Sequence, residues 1–585
     1  RRMVVQSVPL LPRLGRVVSR EPVAAPSAIS LDGQRKRKSA ATRGRLRFTM
    51  LAFACVYGAI AAKLVLLGTT PPPAEQFHLT AQDTVAAARP AIFDRNGEML
   101  ATDISTASLY AEPRKIVDPD EAVEALSTVL PGLDLEQLRK RLAGDAGFMW
   151  IKREITPKQQ SEILRLGIPG IAFVDENKRF YPGGPTASHV LGHVDVDNQG
   201  IAGLEKFIDS QGLADLQALG FAKSRSSTLE PVKLSLDLRV QHVVRDELAR
   251  AMEAYQAIAA VGIVLDVRSG EVIAMSSLPD YDPNNPADAL KKDRINRATA
   301  GVFELGSTFK LFTTAMALDT GKVTLNSSFD ARTPLRFGRF SIGDFHAKRR
   351  VLTVPEVFIY SSNIGTAKMA QAIGMEAQQA YFRRFGLFDK LQTELPEIGA
   401  PIVPARWSEI TMATTSFGHG ISVEPMQAAV AAAALVNGGH LIPPTFFPRT
   451  AEEASALGTQ VLDPETSRKM RYLMRLNVVK GSGKRAEVKG YYVGGKTGTA
   501  EKVVGGKYSS SKRLNTFLSA FPMDEPRYVV MVTLDEPKAA EGASGATAGV
   551  NAAPTVGAVI ARIAPMLGVL PRPEEAEAKI TLAHN

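Results

Sequence analysis

Cysteine is almost missing from this chain of 585 residues: there is one, Cys55. A disulfide-stapled scaffold is therefore excluded. Because Cys55 lies inside an apolar run, everything beyond that run is free of thiols, which suits an oxidising compartment and a fold held by its packed core. Charge of one sign is also scarce once it is located. The formal net charge is +10, but residues 1–47 hold 12 Lys and Arg against Glu21 and Asp32, leaving 58 basic and 58 acidic residues elsewhere. The body is neutral, so a nucleic-acid-binding protein with a basic face is not indicated. Long hydrophobic runs are missing apart from one. With 45% hydrophobic and 22% charged residues the composition is that of a globular protein and not a multi-span membrane chain, and the length predicts about three domains.

The one long apolar run, Phe48–Leu67, spans 20 residues, enough at about 1.5 Å per residue to cross a hydrocarbon core of about 30 Å. Lys63 is its only charge and lies near one end, where it can snorkel. Arg43, Arg45 and Arg47 abut the start of the run, whereas residues 68–88 contain Glu75 and Asp83 but no Lys or Arg. The positive-inside rule predicts a cytoplasmic tail at 1–47, a transmembrane anchor at 48–67 and an exported remainder. A cleaved signal peptide is the alternative reading, since Ala59-Ile60-Ala61 would satisfy a peptidase; the run continues past that site, and 47 residues is long for a leader. Such a layout suggests the bacterial envelope.

Within the exported part, Arg89–Gly97 alternates and ends on Asn96-Gly97, a hairpin signal. Pro131–Ile168 is mostly helical in pattern, and Lys223–Pro231 has the composition of a linker. Val240, Val244, Leu248 and Met252 make one stripe, which predicts an amphipathic helix over Asp237–Tyr255. Ala259–Val267 and Glu271–Ser277 are β-branched runs joined by Arg268-Ser269-Gly270, a second hairpin. Lys310–Leu318 is apolar nearly all round and predicts a buried central helix. Thr516–Pro522 and Tyr528–Leu534 read as strands, and Ala553-Pro554 opens a helix to about Leu567. Strands at both ends with helices between predict an α+β domain with a mainly antiparallel sheet sandwiched by helices. The expected divisions are 1–47, 48–67, a non-catalytic module at 68–232, a catalytic domain at 233–571 and a disordered tail at 572–585.

Ser-x-x-Lys occurs twice, at Ser307/Lys310 and Ser509/Lys512. Ser307 follows Gly306 and opens the buried helix, so its hydroxyl sits at the positive end of a helix dipole with Lys310 one turn on. Burial lowers a lysine pKa and lets it activate a neighbouring serine. Ser509, in Ser-Ser-Ser-Lys-Arg beside Gly505-Gly506, reads as a solvated loop. Ser361-Ser362-Asn363 and Lys496-Thr497-Gly498 follow, the latter extended by Thr499.

Two decoys compete. Gly490–Thr497 matches the P-loop pattern, and Val529–Glu536 resembles the apolar strand and acid of such enzymes. No apolar strand precedes Gly490, however, and Gly505-Gly506 interrupts the helix that must follow. His189 and His193 have helical zinc-ligand spacing, but Gly192 breaks the helix and neither a catalytic Glu nor a third ligand accompanies them, so they read as surface or loop histidines.

The ordered triple Ser307-x-x-Lys310, Ser361-x-Asn363, Lys496-Thr497-Gly498 resembles the penicillin-binding transpeptidases and serine β-lactamases. Arg89–Gly97, Gly200–Glu205, Asn296-Arg297-Ala298, Ser416–Gln427 and Gly494–Glu501 are similar to class B penicillin-binding proteins, and the surroundings of Trp407 and residues 535–554 to their cell-division (FtsI-type) branch. Leu305 departs from the Pro usual in that family's Glu-Pro-Gly-Ser, without removing a chemical group. The resemblance implies a dimerisation-type pedestal at 68–232 and a serine acyl-enzyme in which Ser307 attacks, Lys310 is the base, Ser361 relays a proton and Asn363 holds the lysine or the substrate. Lys496 with Thr497, Gly498 and Thr499 would bind the substrate carboxylate, and the N–H groups of Ser307 and Thr499 would form an oxyanion hole. It further implies peptidoglycan stem peptides as substrate, β-lactams as inhibitors, a polytopic septal glycan polymerase and other division proteins as partners, no cofactor or metal, and a place in the inner membrane with the catalytic domain in the periplasm. An elongation-type transpeptidase, a D,D-carboxypeptidase, a β-lactamase or an idle division scaffold are the alternatives.

Overall fold

The computed structural model describes residues 50–61, 63, 89–210, 230–539 and 545–573. The chain divides into two compact units, residues 1–80 and 81–585. In the first, residues 50–61 and 63 are helical. The rest of the predicted span 48–67 lies outside the described residues, as do the tail 1–47, the expected linker as far as residue 229, and residues 574–585 of the expected disordered tail. Among the described residues no helix is long and apolar enough to cross a membrane.

The second unit begins with a sheet of β1 (Ile92–Phe93), β2 (Met99–Ala111), β3 (Met149–Ile155), β4 (Ile171–Phe180) and β5 (Val232–Lys233). The β1–β2 hairpin forms as expected. Asp94 shapes its turn by accepting the N–H groups of Asn96 at 2.7 Å and Glu98 at 2.8 Å, and Gly97 takes φ +91°. The segment Pro131–Ile168 corrects the helical expectation, because β3 lies between helices Leu135–Leu142 and Pro157–Leu166. Its pairing partner is β2, where Trp150 opposes Tyr110, and a contact that far back in the chain overrides local periodicity. β5, at the expected boundary of the two modules, pairs in parallel with β1.

Next come α1 (Leu238–Tyr255), β6 (Ala259–Asp266), β7 (Val272–Leu278), α2 (Lys310–Asp319), α3 (Asn363–Ile373), α4 (Pro464–Lys480), β8 (Gly494–Val504), β9 (Lys507–Phe521), β10 (Tyr528–Asp535) and α5 (Ala552–Met566). The strand order is β8-β9-β10-β6-β7, with every neighbouring pair antiparallel. Chain-distant ends thus meet at the centre of one sheet, where β10 pairs with β6. Side chains alternate between its faces: Val261, Ile263 and Met531 join the core that holds α2, while Val264, Val530 and Val532 join the core built on α1 and α5. Asp237 caps α1 by accepting from Arg239 and Val240 N–H. Gly262 lets that helix close on β6, since a Cβ there would lie 2.5 Å from Val244 Cγ1. Every residue of 310–318 is buried, as expected of the central helix.

Candidate active site

Three segments distant in sequence converge at one end of α2. The first is the turn Gly306–Phe309, a 3-10 turn that runs directly into α2. It carries Ser307, half-buried, ahead of Lys310, whose side chain is fully buried. The second is the bend before α3. Ser361 takes a left-handed φ of +56°, a costly conformation for a residue with a Cβ and one that clusters at functional sites. Ser362 then caps α3 by accepting from Gly365 N–H at 2.9 Å. The third is β8, the edge strand of the sheet, which brings Lys496, Thr497, Gly498 and Thr499 alongside the Ser307 turn. A Cβ on Gly498 would overlap the Leu305 carbonyl oxygen, and one on Gly306 would lie 3.1 Å from the Thr499 carbonyl oxygen. Glycine at 498 is what permits that approach.

The two lysines meet at Ser361. Lys310 Nζ donates to the Ser361 carbonyl at 2.6 Å and Asn363 Oδ1 at 2.7 Å, and lies 3.0 Å from Ser361 Oγ. Lys496 Nζ lies 3.0 Å from the same Oγ and donates to the Thr497 carbonyl at 3.3 Å. Burial, then the charge of Lys496, push the Lys310 ammonium well below its ordinary range, opposed by Asp344. Burial lowers Lys496 to about 7. A neutral Lys310 has a lone pair to offer, and the Ser361 hydroxyl can accept from one lysine while donating to the other. This is an arrangement for moving a proton between two amines through one hydroxyl. No hydrogen bond joins Ser307 Oγ to Lys310 Nζ; such contacts are commonly long before substrate is bound.

The chain matches the model of the penicillin-binding protein transpeptidase domain over residues 260–559. It also matches the penicillin-binding protein dimerisation domain over residues 84–214. It is 41% identical to the probable peptidoglycan D,D-transpeptidase FtsI of Caulobacter vibrioides over 495 residues, 83% of this chain and 82% of that one. It is 31% identical to Escherichia coli FtsI, covering 83% of this chain and 85% of the other. The chain belongs to the class B, FtsI-type penicillin-binding proteins. A crystal structure of penicillin-binding protein 3 from Mycobacterium tuberculosis, complexed with aztreonam, shares the fold with a TM-score of 0.63 at 24% identity, over 83% of this chain and 98% of that one.

This penicillin-binding protein brings all eight expected site residues into one region, and further residues support them that motif reading missed. Asp344 accepts from Ser362 Oγ at 2.7 Å and Ile364 N–H at 2.9 Å, and the Gly343 carbonyl accepts from Asn363 Nδ2 at 3.1 Å. Both hold the bend that aims Ser361. Buried Asn477 on α4 donates to the Gly495 carbonyl at 2.8 Å, and Ser482 Oγ lies 2.6 Å from Thr497 Oγ1. Thr499 Oγ1 accepts from Ala548 N–H at 3.1 Å. Glu304, three residues before Ser307, accepts from Tyr508 OH at 2.9 Å and Gly420 N–H at 3.0 Å. His419 stacks on Tyr508 with ring centres 4.2 Å apart. The tip of the β8–β9 hairpin is thereby tied to the loop ahead of the serine. Only the acidic residue's closeness to Ser307 hinted at this in the sequence.

The decoys resolve differently. Ser509 belongs to β9 and not to a loop as expected; its Oγ lies 3.1 Å from Ser511 Oγ, and Lys512 faces Glu536 at 3.6 Å. After Lys496-Thr497 the chain continues as a strand to Val504, where a P-loop requires a helix. His189 is buried, against the surface expectation. Its Nε2 donates to the Arg294 carbonyl at 2.7 Å, and both it and His193 meet Tyr281 edge-on at 5.3 and 5.5 Å.

Proposed function

We propose that this protein cross-links septal peptidoglycan by D,D-transpeptidation, with Ser307 forming the acyl-enzyme. The observation that carries the reading is the pair of buried lysines sharing Ser361 beside the Ser307 turn. Ser307 Oγ attacks the carbonyl of the penultimate D-Ala of a stem peptide while Lys310, kept neutral by burial, takes its proton. The tetrahedral oxyanion sits against the backbone N–H groups of Ser307 and Thr499. Ser361 passes a proton to the departing D-Ala, and Asn363 holds Lys310 in place. Lys496, with Thr497 and Thr499, clamps the terminal carboxylate, and Gly498 keeps β8 close enough for it to reach. An amine of a neighbouring stem then takes the acyl group and releases Ser307. β-Lactams acylate the same serine and stay.

Residues 233–571 form the catalytic domain in this reading and residues 68–232 its pedestal. Phe48–Leu67 anchors the protein in the inner membrane, residues 1–47 remain in the cytoplasm, and a septal glycan polymerase with other division proteins supplies the partners. The matched dimerisation domain at 84–214 and the FtsI relatives support this layout.

Mass spectrometry after penicillin treatment tests the core of the proposal. One adduct is expected, on Ser307; Ser307→Ala abolishes it and Ser509→Ala leaves it. An adduct that survives in Ser307→Ala overturns the assignment. Product analysis with a peptide donor then separates transfer to an amine from transfer to water, which would mark a carboxypeptidase or β-lactamase. A periplasm-dependent reporter fused after Asn585 is expected to be active on a membrane-bound protein, and a soluble form starting near Ala62 would support the signal-peptide reading instead.

A further inference from the structure

Away from the catalytic residues, none of which lines it, lies a cavity of about 550 Å³. Its walls are the turn between β6 and β7, the end of the helix Pro425–Val436, the helix Ala451–Leu457, the first turns of α4 and the loop between β9 and β10. Val267, Val436 and Ile442 give it apolar surface, and Arg268, Arg468 and Arg471 bring positive charge to the same space. Two of those cations have acids of their own: Arg468 pairs with Glu465, and Arg268 stands 3.8 Å from Asp266. Arg471 does not. It is half-buried, its Nη1 faces only the Asp524 backbone carbonyl at 3.4 Å, and no carboxylate lies within ion-pair distance of it among the described residues. Burial, then the charge of Arg468, lower its pKa. A guanidinium so placed is short of an anion.

The acids on the rim are already taken. Asp524 and Glu525 line the cavity, and Arg572 pairs with both, with Glu525 at 3.1 Å. Those bonds fasten the chain beside the cavity just before residue 574. The backbone there is held too, since Arg572 N–H donates to the Gly490 carbonyl at 2.8 Å and the Pro573 carbonyl accepts from Tyr492 OH. The next residues include three carboxylates, Glu574, Glu575 and Glu577, followed by two large apolar side chains, Ile580 and Leu582. Anionic groups ahead of apolar ones match a cavity with an uncommitted arginine and an apolar wall. At about 3.3 Å per extended residue a few residues reach from the rim across the cavity, and the tether holds them at an effective concentration on the order of 1 mM.

We propose that residues 574–585 dock in this cavity of their own chain, the carboxylates of Glu574, Glu575 and Glu577 on Arg471 and Arg468, and Ile580 and Leu582 against the apolar wall. The effect falls on α4. Its first turns line the cavity, and Asn477 near its far end holds the Gly495 carbonyl of β8. A filled cavity braces the helix that backs the catalytic strand. The inference stands apart from the acyl-transfer reading and needs no part of it.

Hydrogen exchange of the full chain, read over residues 464–474, tests the docking. With a local affinity of about 0.1 mM the tethered segment protects these amides about tenfold. Glu574→Gln, Glu575→Gln and Glu577→Gln combined, which leave the cavity itself untouched, are expected to remove that protection. A synthetic peptide of residues 574–585 added to this variant should restore it at about 0.1 mM in low salt, and fail to do so at about 0.5 M salt. Arg468→Glu with Arg471→Glu should also lose the protection, and regain it when Glu574→Lys, Glu575→Lys and Glu577→Lys are added. Exchange that is unchanged in the glutamine variant overturns the docking, as does a charge-swapped chain that regains nothing. Protection that rises with protein concentration assigns the cavity to the same segment of a second copy, and protection restored equally by inorganic phosphate assigns it to a small anion; either result overturns docking within one chain.

Discussion

A lysine that accepts a proton must spend part of its time neutral, and Lys310 is held that way by burial and by Lys496. Arginine cannot follow, because guanidinium keeps its proton at any accessible pH. Lys310→Arg is expected to keep its circular dichroism spectrum and to be acylated by penicillin at least about a hundredfold more slowly, close to Lys310→Ala. A near-normal rate for the arginine variant alone would make Lys310 a fixed charge and move the base to Ser361. The two lysines also act in opposite directions as pH changes. Below its lowered pKa Lys310 is protonated and cannot serve as base, which sets the acid limb of the acylation rate. Above about 7 Lys496 loses its proton and its attraction for a carboxylate, which sets the alkaline limb. Lys496→Arg stays charged throughout and is expected to remove the alkaline limb while keeping the acid one. An alkaline limb that persists in stopped-flow acylation of that variant belongs to another group.

Between β8 and the Ser307 turn, backbone meets backbone, so a single methyl is enough to part them. Gly498→Ala places a Cβ against the Leu305 carbonyl oxygen. The strand must shift, and displacement of about 1 Å at a reacting centre can cost roughly 10² in rate. Acylation is expected to slow by about that factor with secondary structure unchanged; a normal rate would show that the turn yields without harm. The hairpin beyond β8 is secured more lightly. Tyr508→Phe removes the hydroxyl that binds Glu304, a loss of about 1 kcal/mol or roughly fivefold in local opening. Amide exchange over residues 502–512 should rise by about that factor while exchange in the paired core of β9 and β10 does not.

Across the whole molecule the N-terminal sheet and the catalytic domain share one core. Ile92, Leu100 and Leu204 belong to the same cluster as Phe309, Phe312 and Met316. A buried ionic network stands beside it. Arg89, with its side chain 2% exposed, pairs with fully buried Glu205 at 2.7 Å, and Arg179 pairs with the same carboxylate at 2.6 Å. From there Gly203 N–H reaches Glu397 at 3.2 Å, and Gly399 N–H reaches the Thr299 carbonyl at 2.8 Å, eight residues before Ser307. Arg89→Met leaves Glu205 short of a partner in the interior, at a cost of about 3 kcal/mol. Thermal unfolding should shift down by several degrees, while protein that remains folded still takes one penicillin per chain. An unchanged midpoint would show that Arg179 alone neutralises the site.

What could be read from sequence was whatever depends on neighbours along the chain. The 3.6-residue stripe Val240-Val244-Leu248, the Asn96-Gly97 turn and the all-apolar Lys310–Leu318 helix each impose a local geometry that packing then kept. The order of the three motifs was enough for the family, because each is a contiguous run of residue types with its own chemistry. Tertiary structure decided the rest. Strand β3 exists because β2 pairs with it, and Ser509 joins β9 because it pairs with Lys502 of β8. His189 is interior because Arg294 and Tyr281 close over it. Asp344, Asn477 and Glu304 carry no motif. Their part in the site comes from hydrogen bonds of 2.7 to 2.9 Å to groups 18 to 204 residues away, and such contacts leave no periodicity in the chain that makes them.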